Sequence, residues 1–586
     1  MIRQPRDHTT ERRALLLIPL AALVAVLPLI LHGCSCGHDF DFHLISWMEV
    51  ATQFSHGNLH PHWAYTPAYN AGEPRFVFYP PLSWMLGGLL GLVLTHIPRV
   101  TEAAGWNAAP VLYTWVALTL SGLSLHRLAR EFAGENAALL AAILYLANPY
   151  MLFTAYERTA YAELLAAAWI PLLLLAILRE KVSIPRIAIP LALLWLTNAP
   201  AAIMGSYTLA LLAAVRLVTE LRASRKRSAL QLAVKGVAGT ALGFALAAFY
   251  IVPAAYERRF VRVVLATLGG MSIDQNFLFG HTGISADAVA HDAVLHSASL
   301  IAVILLIATA AALAVNYTRR KPAPLTSDSH TGESRPYVPL PAIPLIILTV
   351  GIALLLTPLS ARIWSHVPEV ALLQFPWRLL AILAPVFALA VAAAISRIRL
   401  KFATTAAVAT ILAASLALPA YHWFHQRCYP EDMPTARLAV FHSPTGTDPT
   451  DEYTPTTADN DALRPNAPPY WLAYSPKLAA PTASRPGATP IHLTVTTSQP
   501  EFLILNLRDY PTWHLFLNGR LDLTRESRDD GLIAVSIPAG ESTIDIRYAH
   551  SPDRSLGDII TLLAFLVLLW LLTRRPAPFA EKTGSV

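Results

Sequence analysis

Twelve stretches of this chain are apolar and long enough, or nearly so, to cross a bilayer, and nothing else in the sequence constrains the fold as strongly. They lie near 14–31, 108–125, 137–152, 162–178, 187–198, 201–218, 232–252, 296–315, 340–357, 376–395, 402–420 and 557–573. A spanning helix needs roughly 20 apolar residues, within a range of about 17–25. In lipid only helices and closed barrels satisfy their own backbone. The chain is 54% hydrophobic and 14% charged, whereas soluble domains carry roughly 25% charged residues. The expected class is therefore a polytopic α-helical membrane protein of about twelve spans. Short runs on either side of Thr197-Asn198-Ala199-Pro200 suit broken helices. The net charge of +6 is spread over short basic clusters between apolar runs, which points away from a nucleic-acid partner.

Those clusters set the expected topology. Arg3, Arg6, Arg12 and Arg13 precede the first run and place the N-terminus in the cytoplasm. A further apolar stretch, Leu82 to Ile97, decides the rest. If it lies along the outer interface, Arg127 and Arg130, Arg179 to Arg186, Arg222 to Arg227, Arg319 to Lys321, Arg397 to Lys401, and Arg574 with Arg575 all fall inside. If it crosses, every one of them moves outside. The positive-inside rule selects an interfacial helix there, started by Pro80-Pro81. Arg12-Arg13 and the run after it also fit the start of a signal peptide, and Leu31-His32-Gly33-Cys34 resembles a lipoprotein cleavage box. The length of the run and the presence of His32 favour an uncleaved helix. The expected location is a bacterial inner membrane, with both termini cytoplasmic.

Three parts follow from this topology: a helical membrane domain over 1–420 with a first outer loop at 33–81, a large periplasmic domain over 421–556, and a last span with a cytoplasmic tail over 557–586. Within the periplasmic part, 422–490 is rich in Pro, Thr, Asp and Ala. From Ile491 apolar residues alternate with polar ones, at Leu493 and Val495, at Leu503, Leu505 and Leu507, at Trp513, Leu515 and Leu517, at Ile533, Val535 and Ile537, and at Ile544, Ile546 and Tyr548. Asn518-Gly519 is a strong two-residue hairpin turn, and Pro538-Ala539-Gly540 is a second turn. The pattern predicts a small antiparallel β-sandwich. It serves either as a structural cap or as a module binding carbohydrate or lipid head groups. Of the three cysteines, Cys34 and Cys36 are too close to pair easily with each other. A bridge from one of them to Cys428, or three free thiols, both stay open.

The residues with chemical potential cluster outside the membrane. Asp39 and Asp41, flanked by His38 and His43, follow the first run directly. On an extended segment their spacing puts both carboxylates on one side. They would then divide acid and base roles or share a divalent metal, the one cofactor the pattern leaves open. The loop continues through Glu73, Arg75 and Tyr79, polar and aromatic groups that suit either sugar rings or the bilayer interface. Arg378 opens a helix at the outer face, where a guanidinium can grip phosphate bidentately or snorkel to head groups. Glu157, Arg158 and Glu163 precede another helix, and Arg258 belongs to a basic outer patch. The chain contains no Walker loop, Rossmann fingerprint, Gly-x-Ser-x-Gly or zincin helix.

Together, Asp39 and Asp41, Tyr79-Pro80-Pro81-Leu82 and the many runs resemble the GT-C superfamily of membrane glycosyltransferases. Phe375-Pro376-Trp377-Arg378, Asp451-Glu452-Tyr453-Thr454-Pro455, Tyr510-Pro511-Thr512-Trp513 and the Asn518-Gly519 turn are similar to bacterial membrane families with an outer β domain. These include one proposed to glycosylate lipoteichoic acid and one labelled 6-pyruvoyl-tetrahydropterin synthase-related. That label implies no pterin activity, because a soluble pterin synthase needs a zinc site that this sequence does not show. Thr197-Asn198 stands where those families carry Thr-His. The resemblance implies a GT-C-like fold and an inverting glycosyl transfer from a polyprenyl-phosphate sugar, since activated nucleotides are not available outside the membrane. The acceptor would be an envelope glycan, lipid or protein. Asp39 or Asp41 would be the base. Arg378, Arg258 and Arg158 would bind the donor phosphate, and His38, His43, Glu73, Arg75, Tyr79, Glu157 and Glu163 would line the substrate. The alternatives are a transporter or flippase of lipid-linked glycan, and a non-catalytic envelope assembly protein.

Overall fold

The computed structural model describes residues 8–280, 286–318, 339–367, 369–396, 398, 402–473 and 489–574. Among the described residues, ten helices are long and apolar enough to span. The run at 340–357 becomes Ala342–Leu355, which meets Pro358–His366 at 97°, an eleventh span if the bent pair counts as one. The break falls at Thr357-Pro358, where the proline ring disfavours helix in the residue before it. The run at 187–198 forms only the 14-residue helix Ile184–Thr197. Asn198 ends that helix and caps Ala199–Arg222, its side chain accepting from the Ala201 N–H at 2.9 Å. The expected break is therefore a shared cap. The basic residues Arg3, Arg6, Arg319, Arg320, Lys321, Arg397, Arg399, Lys401 and Arg575, used above for topology, lie outside the described residues.

The ambiguous stretch after Tyr79 is the helix Pro81–Thr95, with Pro80 as its N-cap and Pro81 in its first turn. At 15 residues it falls short of the roughly 20 a crossing needs. Its inner face is cut flat by glycine. A Cβ at Gly87 would stand 2.1 Å from the Trp47 ring, at Gly88 2.5 Å from Val50, and at Gly91 2.3 Å from Trp106. The opposite face leaves Leu89 and Val93 exposed. Small residues thus let two large indoles pack against the helix backbone, and this holds the helix beside Phe40–Ser55, which carries Trp47.

The expected strands all form. They are β1 (Tyr470–Leu472), β2 (His492–Thr497), β3 (Glu501–Arg508), β4 (Trp513–Leu517), β5 (Arg520–Asp522), β6 (Leu532–Ile537) and β7 (Gly540–Tyr548). β1 is an addition that the sequence pattern did not indicate. The order is β1-β3-β6 in one sheet and β2-β7-β4-β5 in the other, antiparallel throughout. Leu503, Leu505 and Val535 from the first sheet share one core with Leu493, Leu515, Ile544 and Ile546 from the second. This is the sandwich that the alternation predicts. Asn518 and Gly519 both take positive φ, 49° and 77°, as a two-residue hairpin requires.

Residues 425–469 do not form a separate layer. They run as a strap back over the first outer loop. The Cys36 N–H donates to the Gln426 carbonyl, Thr447 exchanges backbone hydrogen bonds with Thr66 and Tyr69, and a disulfide joins Cys36 to Cys428. Cys34 stays a thiol.

Candidate active site

The site is built where the first outer loop meets the turn at 157–160. Gly37 lies so close to that turn that a Cβ would stand 2.2 Å from the Glu157 carbonyl oxygen. Two backbone bonds fix the approach. The His38 N–H donates to the Glu157 carbonyl at 3.3 Å, and the Asp39 N–H to the Arg158 carbonyl at 2.9 Å. Asp39 is then the N-cap of Phe40–Ser55, yet its side chain makes no capping hydrogen bond. An Asp at this position usually spends its carboxylate on the helix's first N–H groups. Here the carboxylate lies within electrostatic range of Arg158, Arg378, His43 and Tyr79.

Arg158, Glu163 and Arg378 form one buried cluster. Glu163 Oε2 is 2.7 Å from Arg158 Nη1 and 3.5 Å from Arg378 Nε, and the three side chains are 3–12% exposed. Glu163 Oε1 accepts from the Tyr150 hydroxyl. Burial alone would make the Arg158 cation less favourable, but Glu163, Tyr150 and Asp39 outweigh it and raise its pKa. It stays charged. Arg378 donates through Nη1 to the Leu373 carbonyl at 3.0 Å and to Gln374 Oε1 at 3.2 Å. Its Nε is buried with no hydrogen-bond partner among the described residues. The Phe-Pro-Trp-Arg segment supplies the walls. Arg158 sits 4.6 Å over the Trp377 ring and Arg378 4.9 Å over Phe375, and those two rings stack on each other at 5.0 Å. Gln374, just before the segment, is held at φ 60°, a conformation that costs about 1–3 kcal/mol in a residue that is not glycine.

An aromatic floor adjoins these charges. His43 packs edge-on against Tyr79 at 5.7 Å and Tyr161 at 5.4 Å. Trp47 stacks on Tyr113 at 4.9 Å. Burial lowers His43 to about 4, so at neutral pH it is an uncharged ring. Burial, with Asp39 nearby, pushes the Tyr79 phenol well above its usual range.

Asp39 and Asp41 do not act as a pair. Helix starts at Phe40, and two residues along a helix turn by about 200°, so the carboxylates diverge. The extended segment that would have aligned them is absent. Asp41 instead pairs with Arg437, which also holds Asp432 at 2.8 Å. These are strap residues. A shared metal between Asp39 and Asp41 does not fit that arrangement. Among the described residues the one cluster of potential ligands is Cys34, Cys36 and Cys428, and two of those sulfurs are joined to each other.

The other expected residues separate from the cluster. Glu73 and Arg75 pair at 2.8 Å, both buried. Arg75 also donates to Ser46 and Thr450, and Glu73 accepts from the Thr450 N–H. They tie the loop to the strap. Glu157 contributes its carbonyl to the Asp39 loop, while its side chain turns to Gln426. His38 lies at the exposed rim. Arg258 is exposed and pairs with Glu369 at 3.2 Å, outside the Arg158–Arg378 cluster. Sequence reasoning missed Tyr150, Tyr161 and Arg437. A Tyr at a helix start or a lone Arg in a Pro-rich stretch carries no local signal for such roles. A cleft of about 430 Å3 lies elsewhere, in the β domain.

No protein-family model and no curated protein matches this chain, so the expected likeness to the pterin-labelled family finds no support there. Among solved structures, the chain is similar to the arabinofuranosyltransferase AftD from Mycobacteria, at 18% identity and a TM-score of 0.40, over 70% of this chain and 27% of that one. It is also similar to the oligosaccharyltransferase AglB of Archaeoglobus fulgidus, captured with an inhibitory peptide and a dolichol-phosphate, at 15% identity and a TM-score of 0.40, over 72% of this chain and 57% of that one. An apo structure of the Archaeoglobus fulgidus oligosaccharyltransferase gives 16% identity and a TM-score of 0.37. The chain thus spans about a quarter of the mycobacterial protein and little more than half of the archaeal one.

Proposed function

We propose that this chain is a membrane glycosyltransferase that moves a sugar from a polyprenyl-phosphate donor to an envelope acceptor at the periplasmic face of a bacterial inner membrane. One observation carries the reading. An N-cap aspartate whose carboxylate caps nothing lies in electrostatic range of two buried arginines that share a single glutamate. A base beside excess guanidinium is what transfer from a sugar phosphate requires.

In the proposed step the acceptor hydroxyl oxygen attacks the anomeric carbon and its proton passes to Asp39. The bond from that carbon to the phosphate oxygen breaks, and its electron pair stays on the phosphate. Arg378 and Arg158 stabilise the charge gained there, and attack opposite the leaving group inverts the anomeric centre. Glu163 keeps both guanidiniums in place before the donor arrives. His43, neutral, and Tyr79 offer ring faces and a phenol to the sugar. The step as proposed uses no metal shared between Asp39 and Asp41, whose carboxylates diverge.

The test is transfer from labelled polyprenyl-phosphate sugars in proteoliposomes. Asp39→Asn should lower the rate by about 10²–10⁴-fold, the usual worth of general base catalysis. Wild-type activity in that variant would overturn the assignment. Movement of the donor across the bilayer with no new glycosidic bond would establish a carrier instead.

A further inference from the structure

The β domain contains a cleft that the transfer chemistry does not use. Its volume of about 430 Å3 falls inside the roughly 300–1,000 Å3 of small-molecule sites. One wall is the β4–β5 hairpin with the segments just before and after it, contributing Asp509, Tyr510, Trp513, His514, Asp522 and Arg525. The facing wall comes from Phe260 and the turn at Pro455-Thr456-Thr457. A backbone bridge between Val261 and Pro455 joins those two pieces, and the Tyr510 hydroxyl donates to Glu257 at 2.7 Å. The cleft is thus anchored to the helical domain.

We infer that this cleft binds a neutral saccharide, a subsite for the acceptor chain if the transfer reading above holds. The chemistry of the walls selects that class. Aromatic and hydroxyl groups alternate with carboxylates, as suits a ring with an apolar face and a polar rim. Two carboxylates stand against one guanidinium, and that guanidinium is already engaged by Asp509 and the Trp513 carbonyl. The cations behind the facing wall, Arg262 on the Thr456 carbonyl and Arg259 over Phe260, stand outside the lining, so a neutral ring fits the lining itself better than an anionic one. Asp522 accepts from Thr524 through one oxygen, Oδ1, which leaves its other oxygen to accept from a ligand hydroxyl. The Trp513 indole N–H, in a residue only 3% exposed, has no hydrogen-bond partner among the described residues. Leu521 and Leu523 stand exposed in the lining. An extended peptide is the weaker fit, because the edge strand β5 offers only three residues to pair with.

The experiment uses the full chain in detergent. Neutral di- to tetrasaccharides of hexoses and pentoses are titrated against it, beside uronic-acid and phosphorylated counterparts, with tryptophan fluorescence and saturation-transfer NMR as readouts. At least one neutral saccharide should bind, and its charged counterpart should bind more weakly. Asp522→Asn should weaken binding about tenfold, the size of one charge-assisted hydrogen bond. His514→Ala, at a half-buried position, is the second variant and should also weaken it. Asp39→Asn should bind as wild type does, which separates failure of the cleft from failure of the transfer assignment. The inference is overturned by absence of neutral-sugar binding, by preference for the anionic forms, by binding that neither cleft variant alters, or by a peptide that protects the β5 amides in place of sugar.

Discussion

A single methyl group at position 37 tests whether the placement of Asp39 matters. Gly37 has ordinary backbone geometry, so Ala is tolerated conformationally, but its Cβ would lie 2.2 Å from the Glu157 carbonyl oxygen and 2.8 Å from the carbonyl carbon. Real Cβ contacts below 3.0 Å essentially never occur. The loop or the 157–160 turn must therefore give way by about 1 Å to restore van der Waals contact. Both neighbours are backbone, and both are tied by the His38 and Asp39 hydrogen bonds. Asp39 and Arg158 must then separate or tilt. A displacement of about 1 Å in a reacting group costs on the order of 10²-fold in rate, whereas overpacking at one site costs about 1–3 kcal/mol of stability. Gly37→Ala should thus express and fold yet lose about 10²-fold in kcat for transfer from a labelled polyprenyl-phosphate sugar. Gly236→Ala is the control, because a Cβ there meets nothing within 4 Å. A Gly37→Ala enzyme with wild-type kcat would refute the reasoning that Asp39 works from this position.

Arg378→Lys keeps the charge but loses the planar fork, so transfer should fall by about 10²-fold or more; an unchanged kcat would remove Arg378 from the phosphate site. Asp41 offers a pH test. Burial raises its pKa to about 6 despite Arg437 beside it, so the folded state holds this proton more tightly than the unfolded chain does. Its contribution to stability is therefore complete below about pH 4, the unfolded value, and lost as pH rises through about 6. Asp41→Asn should flatten the melting temperature across that window, and a profile identical to wild type would disprove the burial. The thiols give a direct chemical check. Alkylation of denatured protein should modify one cysteine without reductant and three with it, since Cys36 is bonded to Cys428. Cys34, raised by burial to about 11, should react slowly in the native state, and rapid native labelling would contradict the structure.

The helical membrane architecture was legible because a bilayer reads the chain through local rules. Run length, proline position and charge clusters each act within a few turns, and most of the expected runs became helices long enough to span. The β-sandwich was legible for the same reason. Alternation at Leu503, Leu505 and Leu507 needs only the period of a strand, and Asn518-Gly519 needs only two residues that accept positive φ. The Pro80-Pro81 helix start and the place of Arg378 at a helix entry also came from short-range chemistry, whereas Phe375-Pro376-Trp377-Arg378 as a motif stood out by resemblance to known membrane families.

What the chain did alone was decide which segments are helix, strand and turn, since those choices follow from neighbouring residues and the solvent they meet. The tertiary structure decided which of the charged groups serve one another. Asp39 and Asp41 look equivalent in sequence, but one helix start at Phe40 turned them apart, sending one to Arg158 and Arg378 and the other to Arg437 on the strap. Glu73 and Arg75, expected to line the substrate, are joined by packing to each other and to Thr450 of the distant strap. Cys36, not Cys34, met Cys428 because the strap's backbone bonds to residue 36 bring it there. Such pairings join residues far apart in sequence. Their energies arise only when the whole fold removes both partners from water, so no local pattern encodes them.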